Sequence, residues 1–287
     1  MLNPPLSLLS DDLIGYLVEH VARLTFANAA LHNLSLADPA FTEVCQTYIF
    51  RTLTLGERRG TRSGISTKLE KMKSILEEKP LFANRVRKVK LYIAGRLNAW
   101  LLQNPSTHPH REAAITFISI LQLLAKSPVP PHELDIEGFF QFEDPKLVVG
   151  RLSQSFFSQT LTILHLTECR NVPLPLFLVC PRLKEVHLDL VRVAEGSYNE
   201  YPDEQCSGRV SPALELFNSC SSHTVVKQMV TPPPRFHTPV VLWSKLRVLT
   251  LSPHEREEMT LLRPILDEAC NTLEELYLTN LYVGLSR

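Results

Sequence analysis

Leu161-Thr162-Ile163-Leu164-His165-Leu166-Thr167-Glu168-Cys169 is the stretch on which the reading of this chain turns. Apolar residues at its first, fourth and sixth positions recur as Leu183-x-x-Val186-x-Leu188, Leu246-x-x-Leu249-x-Leu251 and Leu273-x-x-Leu276-x-Leu278. Self-similarity of this kind marks stacked short strands. A strand unit this small cannot bury its own apolar face, so it needs a neighbour on each side and grows lengthwise into a curved solenoid. The leucines and Val186 of the four stretches are expected in the core, and Cys169 as a structural thiol rather than a nucleophile. The natural use of such a body is to hold another protein.

The pattern extends upstream of Leu161. Val86-x-x-Val89-x-Leu91-x-Ile93 predicts the first strand of the array, Glu112 to Lys126 a helix and Glu133 to Ile136 a short strand. Pro145 to Phe157 predicts a helix, with Asp144 as its cap and proline at its first position. Thr67 and Glu70 form a capping-box pair ahead of Leu69, Met72, Ile75 and Leu76, and Pro80 closes that helix. Taking the middle apolar residue of each strand as register places the units at 89, 134, 164, 186, 249 and 276, with steps of 45, 30, 22, 63 and 27. Consensus leucine-rich repeats run at about 20 to 29 residues, so this array is irregular. The long step contains the turn-rich Glu195 to Gly208 and the proline-rich Thr231 to Pro239. Between them Ser211-Pro212 is expected to start a short helix through Phe217. Residues 194–243 therefore read as an exposed insertion that swells one unit.

The front of the chain has a different period. Ser10 is a good N-cap, with Asp11 and Asp12 in the first turn where acidic groups favour the helix dipole. Leu13, Ile14, Leu17, Val18, Val21 and Leu24 follow at helical spacing. Further helices are expected at Ala29 to Ser35 and Pro39 to Phe50. A helix this short is marginal alone in water, so the stripe must meet its neighbours or a partner. After Leu55 the glycine-bearing basic run Gly56 to Gly64 marks a boundary, dividing the chain into a helical module at 1–55 and an array at 56–287.

The front module resembles an F-box-like segment. Such segments read Leu-Pro-x-Glu-Leu-Leu-x-x-Ile, then a Leu-x-x-Cys stretch with a bulky aromatic, then an exit into a strand. Here Leu9, Asp12, Leu13, Ile14 and Leu17 fall on the first set of positions, Leu34 to Phe41 on the second, and Ile49 to Leu55 on the exit. Ser10 replaces the usual proline, and Asp38 stands where cysteine is expected. A polar residue there costs desolvation free energy unless it is paired. With the array behind it, the chain is similar to fungal F-box-like proteins with degenerate leucine-rich repeats. That resemblance implies an α/β fold: a three-helix front module, then an irregular leucine-rich-repeat-type solenoid with parallel strands. It also implies a non-catalytic substrate receptor of an SCF-type (cullin-RING) ubiquitin ligase. Its front module would dock a Skp-type adaptor, and through it a cullin scaffold, by Leu9, Leu13, Ile14, Leu17, Leu34 and Phe41, while the repeats hold a target protein. The alternative is a scaffold without adaptor binding, whose front helices only shield the first repeat.

Composition narrows the field. Of the 287 residues 44% are hydrophobic and 21% charged, as in ordinary folded proteins. Lys plus Arg and Asp plus Glu both number 30, so no overall field draws the chain to nucleic acid or membrane. The longest apolar run, Phe117 to Ala125, falls far short of the roughly 18 residues that a membrane span needs. The six cysteines form no C-x-x-C pair, which suits free thiols in cytosol or nucleus. Basic residues gather between Glu57 and Arg96, where they make either a solvated face or a seat for phosphates or an acidic segment. Enzyme signatures fail: Glu258 occupies the place of the second histidine of a zincin helix begun by His254-Glu255. His108-Pro109-His110 lacks a third ligand, Gly60-x-x-Ser63-Gly64 has its serine one place late for a nucleophile elbow, and no glycine-rich phosphate loop is present. No cofactor is expected. At the far end, Leu281, Val283 and Leu285 suggest an array edge without a polar cap, so the natural protein is expected to be unusually short or truncated here, or else to close its edge by self-association.

Overall fold

Strict alternation in the apolar pattern sends every second side chain to one face, and the structure is built on that face. The computed structural model describes residues 9–24, 26–57, 65–93, 111–141, 157–193, 210–232, 238–252 and 256–279. Among the described residues eight strands form one parallel, open sheet: β1 (Thr52–Glu57), β2 (Lys88–Ile93), β3 (Glu133–Gln141), β4 (Ile163–Arg170), β5 (Glu185–Asp189), β6 (Leu216–Cys220), β7 (Val248–Ser252) and β8 (Glu275–Leu278). Their order in space is their order in sequence. A doubly wound sheet reverses order at a switch point; this one never does.

Register aligns Leu53, Val89, Leu134, Leu164, Val186, Phe217, Leu249 and Leu276 across the sheet. All are buried except the last, which is 42% exposed at the sheet's end. Helices cover this face. They are α4 (Ile65–Glu78), α5 (Pro80–Ala83), α6 (Arg111–Ala125), α7 (Phe157–Thr160), α8 (Pro175–Leu178), α9 (His223–Val230) and, after a 3-10 turn at Arg256–Leu261, α10 (Leu262–Ala269). Leu69 and Leu76 of α4, Phe117 and Leu124 of α6, Met229 of α9 and Ile265 of α10 join one continuous core with the strand leucines. The predicted core residues Leu161, Leu164, Leu166, Leu183, Val186, Leu188, Leu246, Leu249 and Leu251 all belong to it, and Leu273 and Leu278 pack at its margin.

Two backbone devices repeat with the strands. The carbonyl just before each strand accepts from two successive amides of the next unit: Arg51 from Arg87 and Lys88, Arg87 from His132 and Glu133, and so on to Arg247 from Glu274 and Glu275. One residue past the aligned Glu137, Thr167, Asp189 and Cys220, the equivalent residues Gly138, Glu168, Leu190 and Ser221 all have positive φ. That conformation is uncommon outside glycine. It is held here by the next unit, since Leu190 N–H donates to the Cys220 carbonyl at 3.0 Å and Val191 N–H to Ser222 Oγ at 2.9 Å. Gly56 of β1 is required for a different reason: a Cβ there would lie 2.2 Å from the Tyr92 carbonyl oxygen.

In front of the sheet stand α1 (Asp11–Ala22), α2 (Ala27–Ala37) and α3 (Pro39–Ile49). Ser10 caps α1 as expected, accepting from Leu13 N–H, with Asp11 and Asp12 in the first turn. Ile14, Val18, Leu31, Phe41 and Cys45 form a small core separate from that of the sheet. The two bodies meet where Phe50 packs edge-on against Phe82 at 4.5 Å and Arg85 donates to Gln46 Oε1 at 2.6 Å.

Several expectations are corrected. The 63-residue step hides β6: Val186 aligns with Phe217 and Phe217 with Leu249, so it divides into steps of 31 and 32. Residues 216–230, read as part of an insertion, are strand and helix, whereas 194–209 and 233–237 lie outside the described residues. No helix starts at Ser211, whose hydroxyl donates to the Pro239 carbonyl while Leu214 N–H bonds to the Leu242 carbonyl. Thr67 is not a cap, because α4 begins at Ile65 and places it inside the first turn. Leu53 and Leu55, placed at the end of the front module, belong to the core of the sheet. The helix expected at Pro145 lies outside the described residues.

Candidate functional site

Two surfaces gather the exposed apolar and the charged side chains, and the first is α1. Its apolar stripe is split by the packing of the three helices. Ile14 and Val18 turn inward and are 4% and 0% exposed, while Leu13 and Leu17 stay 51% and 42% exposed. Tyr16, 68% exposed, shares their outer face, with Leu13 and Tyr16 three residues apart and Leu13 and Leu17 four. Of the residues expected to dock an adaptor, Leu13 and Leu17 thus lie on the surface. Leu9 and Leu34 pack against the module core, and Ile14 and Phe41 are inside it, shaping the surface rather than lining it. Tyr16, Phe26 and Leu36 add exposed apolar area that was not anticipated; for Tyr16, its place beside Leu13 and Leu17 on the helix wheel was the available signal.

Asp38, the departure from the expected cysteine, is paired. It caps α3, with Oδ1 accepting from Ala40 N–H at 2.9 Å, and Pro39 occupies the first turn. The desolvation cost foreseen for a polar residue here is offset by that bond.

The second surface is the sheet face opposite the helices, whose charged side chains are mostly half-buried. Lys88 and Lys90 of β2, Glu133, Asp135 and Glu137 of β3, His165 of β4 and Glu185, His187 and Asp189 of β5 alternate with the core residues. Lys88 Nζ lies 2.7 Å from Glu133 and 3.2 Å from Asp135, and Lys90 Nζ 3.2 Å from Asp135 and 2.8 Å from Glu137. Part of the basic segment is thereby spent on internal pairing instead of standing free for phosphates. His165 and His187 stack with ring centres 4.2 Å apart, and His165 Nε2 lies 3.2 Å from Glu133 Oε1. The His165 contact and the Lys88 ammonium hold Glu133 down at a pKa of about 2, against the opposing effect of burial. Burial first, then the neighbouring His165, pushes His187 down to about 4. Both groups therefore favour one fixed charge state in the folded chain.

The cysteine expected to be structural is so placed. Cys169 is fully buried, its thiol 3.8 Å from the Ile136 carbonyl of the preceding unit, and burial raises its pKa to about 12. Among the described residues no group of three or more His, Cys, Asp and Glu is arranged to hold a metal ion. His108, His110, His254 and Ser63 lie outside the described residues. No helix among the described residues is long and apolar enough to cross a membrane.

No protein-family model matches this chain, and no curated protein matches it. What it does must therefore be argued from its surfaces.

Proposed function

We propose that this chain is a protein-binding receptor of the F-box type. Its three front helices dock a Skp-type adaptor through the outer face of α1, and an irregular leucine-rich-repeat-type solenoid holds a target protein for a cullin-RING ubiquitin ligase. The observation that carries the reading is the split stripe of α1. A helix that keeps Ile14 and Val18 inside while leaving Leu13, Tyr16 and Leu17 in water carries more apolar surface than its own fold uses. Burying such side chains is worth roughly 1.5 to 3 kcal/mol each, and contiguous exposed apolar residues mark interaction sites. Cytosol or nucleus is the compartment this role requires.

The alternative is a scaffold whose front helices only cap the sheet. Against it stands the separation of the two cores: no residue of the front cluster belongs to the cluster under the strands. A cap would share its core with the unit it shields.

The experiment is reconstitution with purified Skp-type adaptor, cullin-RING, ubiquitin-conjugating enzyme and ubiquitin. A docked receptor is held beside the charged enzyme, so the chain's own lysines acquire ubiquitin in an adaptor-dependent way. A scaffold would remain unmodified with and without adaptor, and that result would remove the ligase reading.

A further inference from the structure

Among the described residues β1 hydrogen-bonds to no strand other than β2, which leaves its outer edge as a row of amides and carbonyls without a strand partner. A groove follows that edge. Its wider part, a cavity of about 540 Å3, touches Thr52, Leu53 and Thr54 on one side and Met72, Ile75 and Phe82 on the other. An adjoining cavity of about 250 Å3 continues past Thr54, Leu55 and Gly56, with Met72 and Ile75 again opposite. The side chains of a strand alternate between faces, so a space that touches every residue from 52 to 56 in turn must run along the hydrogen-bonding edge, not over either face.

The far wall of this slot is the flank of α4, where Ile75 is 43% exposed. A strand edge facing a helix flank, with room between them, is the geometry in which an extended peptide adds to a sheet. Backbone pairing would supply affinity there, and alternate side chains would enter the apolar wall. Among the described residues the charged side chains lining the two cavities are Lys68, Lys71, Lys79 and Glu78, three basic against one acidic.

We propose that this groove binds an extended segment of a partner protein, about five residues long, which joins the sheet as a further strand against β1. The segment places β-branched or aromatic side chains against Met72, Ile75 and Phe82 and an acidic side chain near the lysines. The site is separate from the outer face of α1 and does not depend on adaptor docking.

The test is selection of random octapeptides displayed on phage against the full chain, followed by titration of the enriched peptides by fluorescence anisotropy. Alternating apolar and acidic sequences are expected to be enriched and to bind Ile75→Glu at least tenfold more weakly than wild type. Of two copies methylated at alternate sets of backbone nitrogens, one should lose at least tenfold in affinity. Addition of the parent peptide should slow hydrogen exchange at alternate amides of β1. Absence of enrichment, equal binding to Ile75→Glu, or indifference to methylation overturns the proposal. So does protection of the edge amides in the free chain, which would make a segment of this chain itself the occupant.

Discussion

Asp38 shows how one residue can be misjudged by position and understood by bonding. At a place where a buried cysteine is expected, its carboxylate accepts the Ala40 N–H and fixes the start of α3. Asp38→Ala should destabilise the front helices by about 1 kcal/mol while Asp38→Asn leaves them nearly unchanged; urea denaturation followed by circular dichroism measures both. Equal loss in the two variants would contradict the capping role. The charged sheet face opposite the helices sets a second expectation. The depressed pKa of Glu133, about 2 against an ordinary 4.5, contributes stability that is present above pH 4.5 and lost as pH falls toward 2. The depressed pKa of His187, about 4 against 6.5, means that below pH 6.5 the unfolded chain takes up a proton that the folded chain refuses. Its penalty therefore grows from pH 6.5 down to 4. Denaturation midpoints should decline in both windows, His187→Gln flattening the upper one and Glu133→Gln the lower. A wild-type midpoint that stays constant from pH 6.5 to 3 would exclude both assignments.

At the scale of elements, the decisive one is β6. Phe217 is fully buried and meets Trp243 edge-on at 5.1 Å, in register with Val186 and Leu249. Phe217→Ala should cost about 3 to 5 kcal/mol in equilibrium unfolding, whereas a residue in an exposed insertion would cost less than about 0.5. The unit escaped recognition because Leu214-x-x-Phe217-x-Ser219 puts a serine where the pattern has leucine, and because Ser211-Pro212 imitates a helix start. The unit steps of 31 and 32 around it were the usable signal. Elsewhere the pattern was legible: the buried leucines of β4, β5 and β7 and the capped start of α1 follow from spacing and cap chemistry alone. The stripe of α1 was only half legible. Helical period groups Leu13 with Ile14 and Leu17 with Val18, and only the packing of α2 and α3 decides which member of each pair turns inward. The pairing of Lys88 and Lys90 with β3 was hidden for a similar reason, since cross-strand neighbours 45 residues apart depend on register.

For the whole molecule, one open sheet with its strands in chain order offers length and surface, and its front helices offer a second, separate surface. Function in this account resides in what those surfaces bind. The claim on which it depends is that the outer face of α1 is a docking surface and not merely tolerated exposure. Because Leu13 and Leu17 are 51% and 42% exposed, replacing both by aspartate leaves the core residues Ile14 and Val18 in place. The most direct measurement is calorimetric titration of purified Skp-type adaptor into the full chain and into the Leu13→Asp, Leu17→Asp double variant, with circular dichroism to verify that both are folded. The expected result is a micromolar or tighter complex for the wild type and at least a hundredfold weakening for the folded variant. No heat of binding with the wild type, or equal affinity for the two chains, would contradict it.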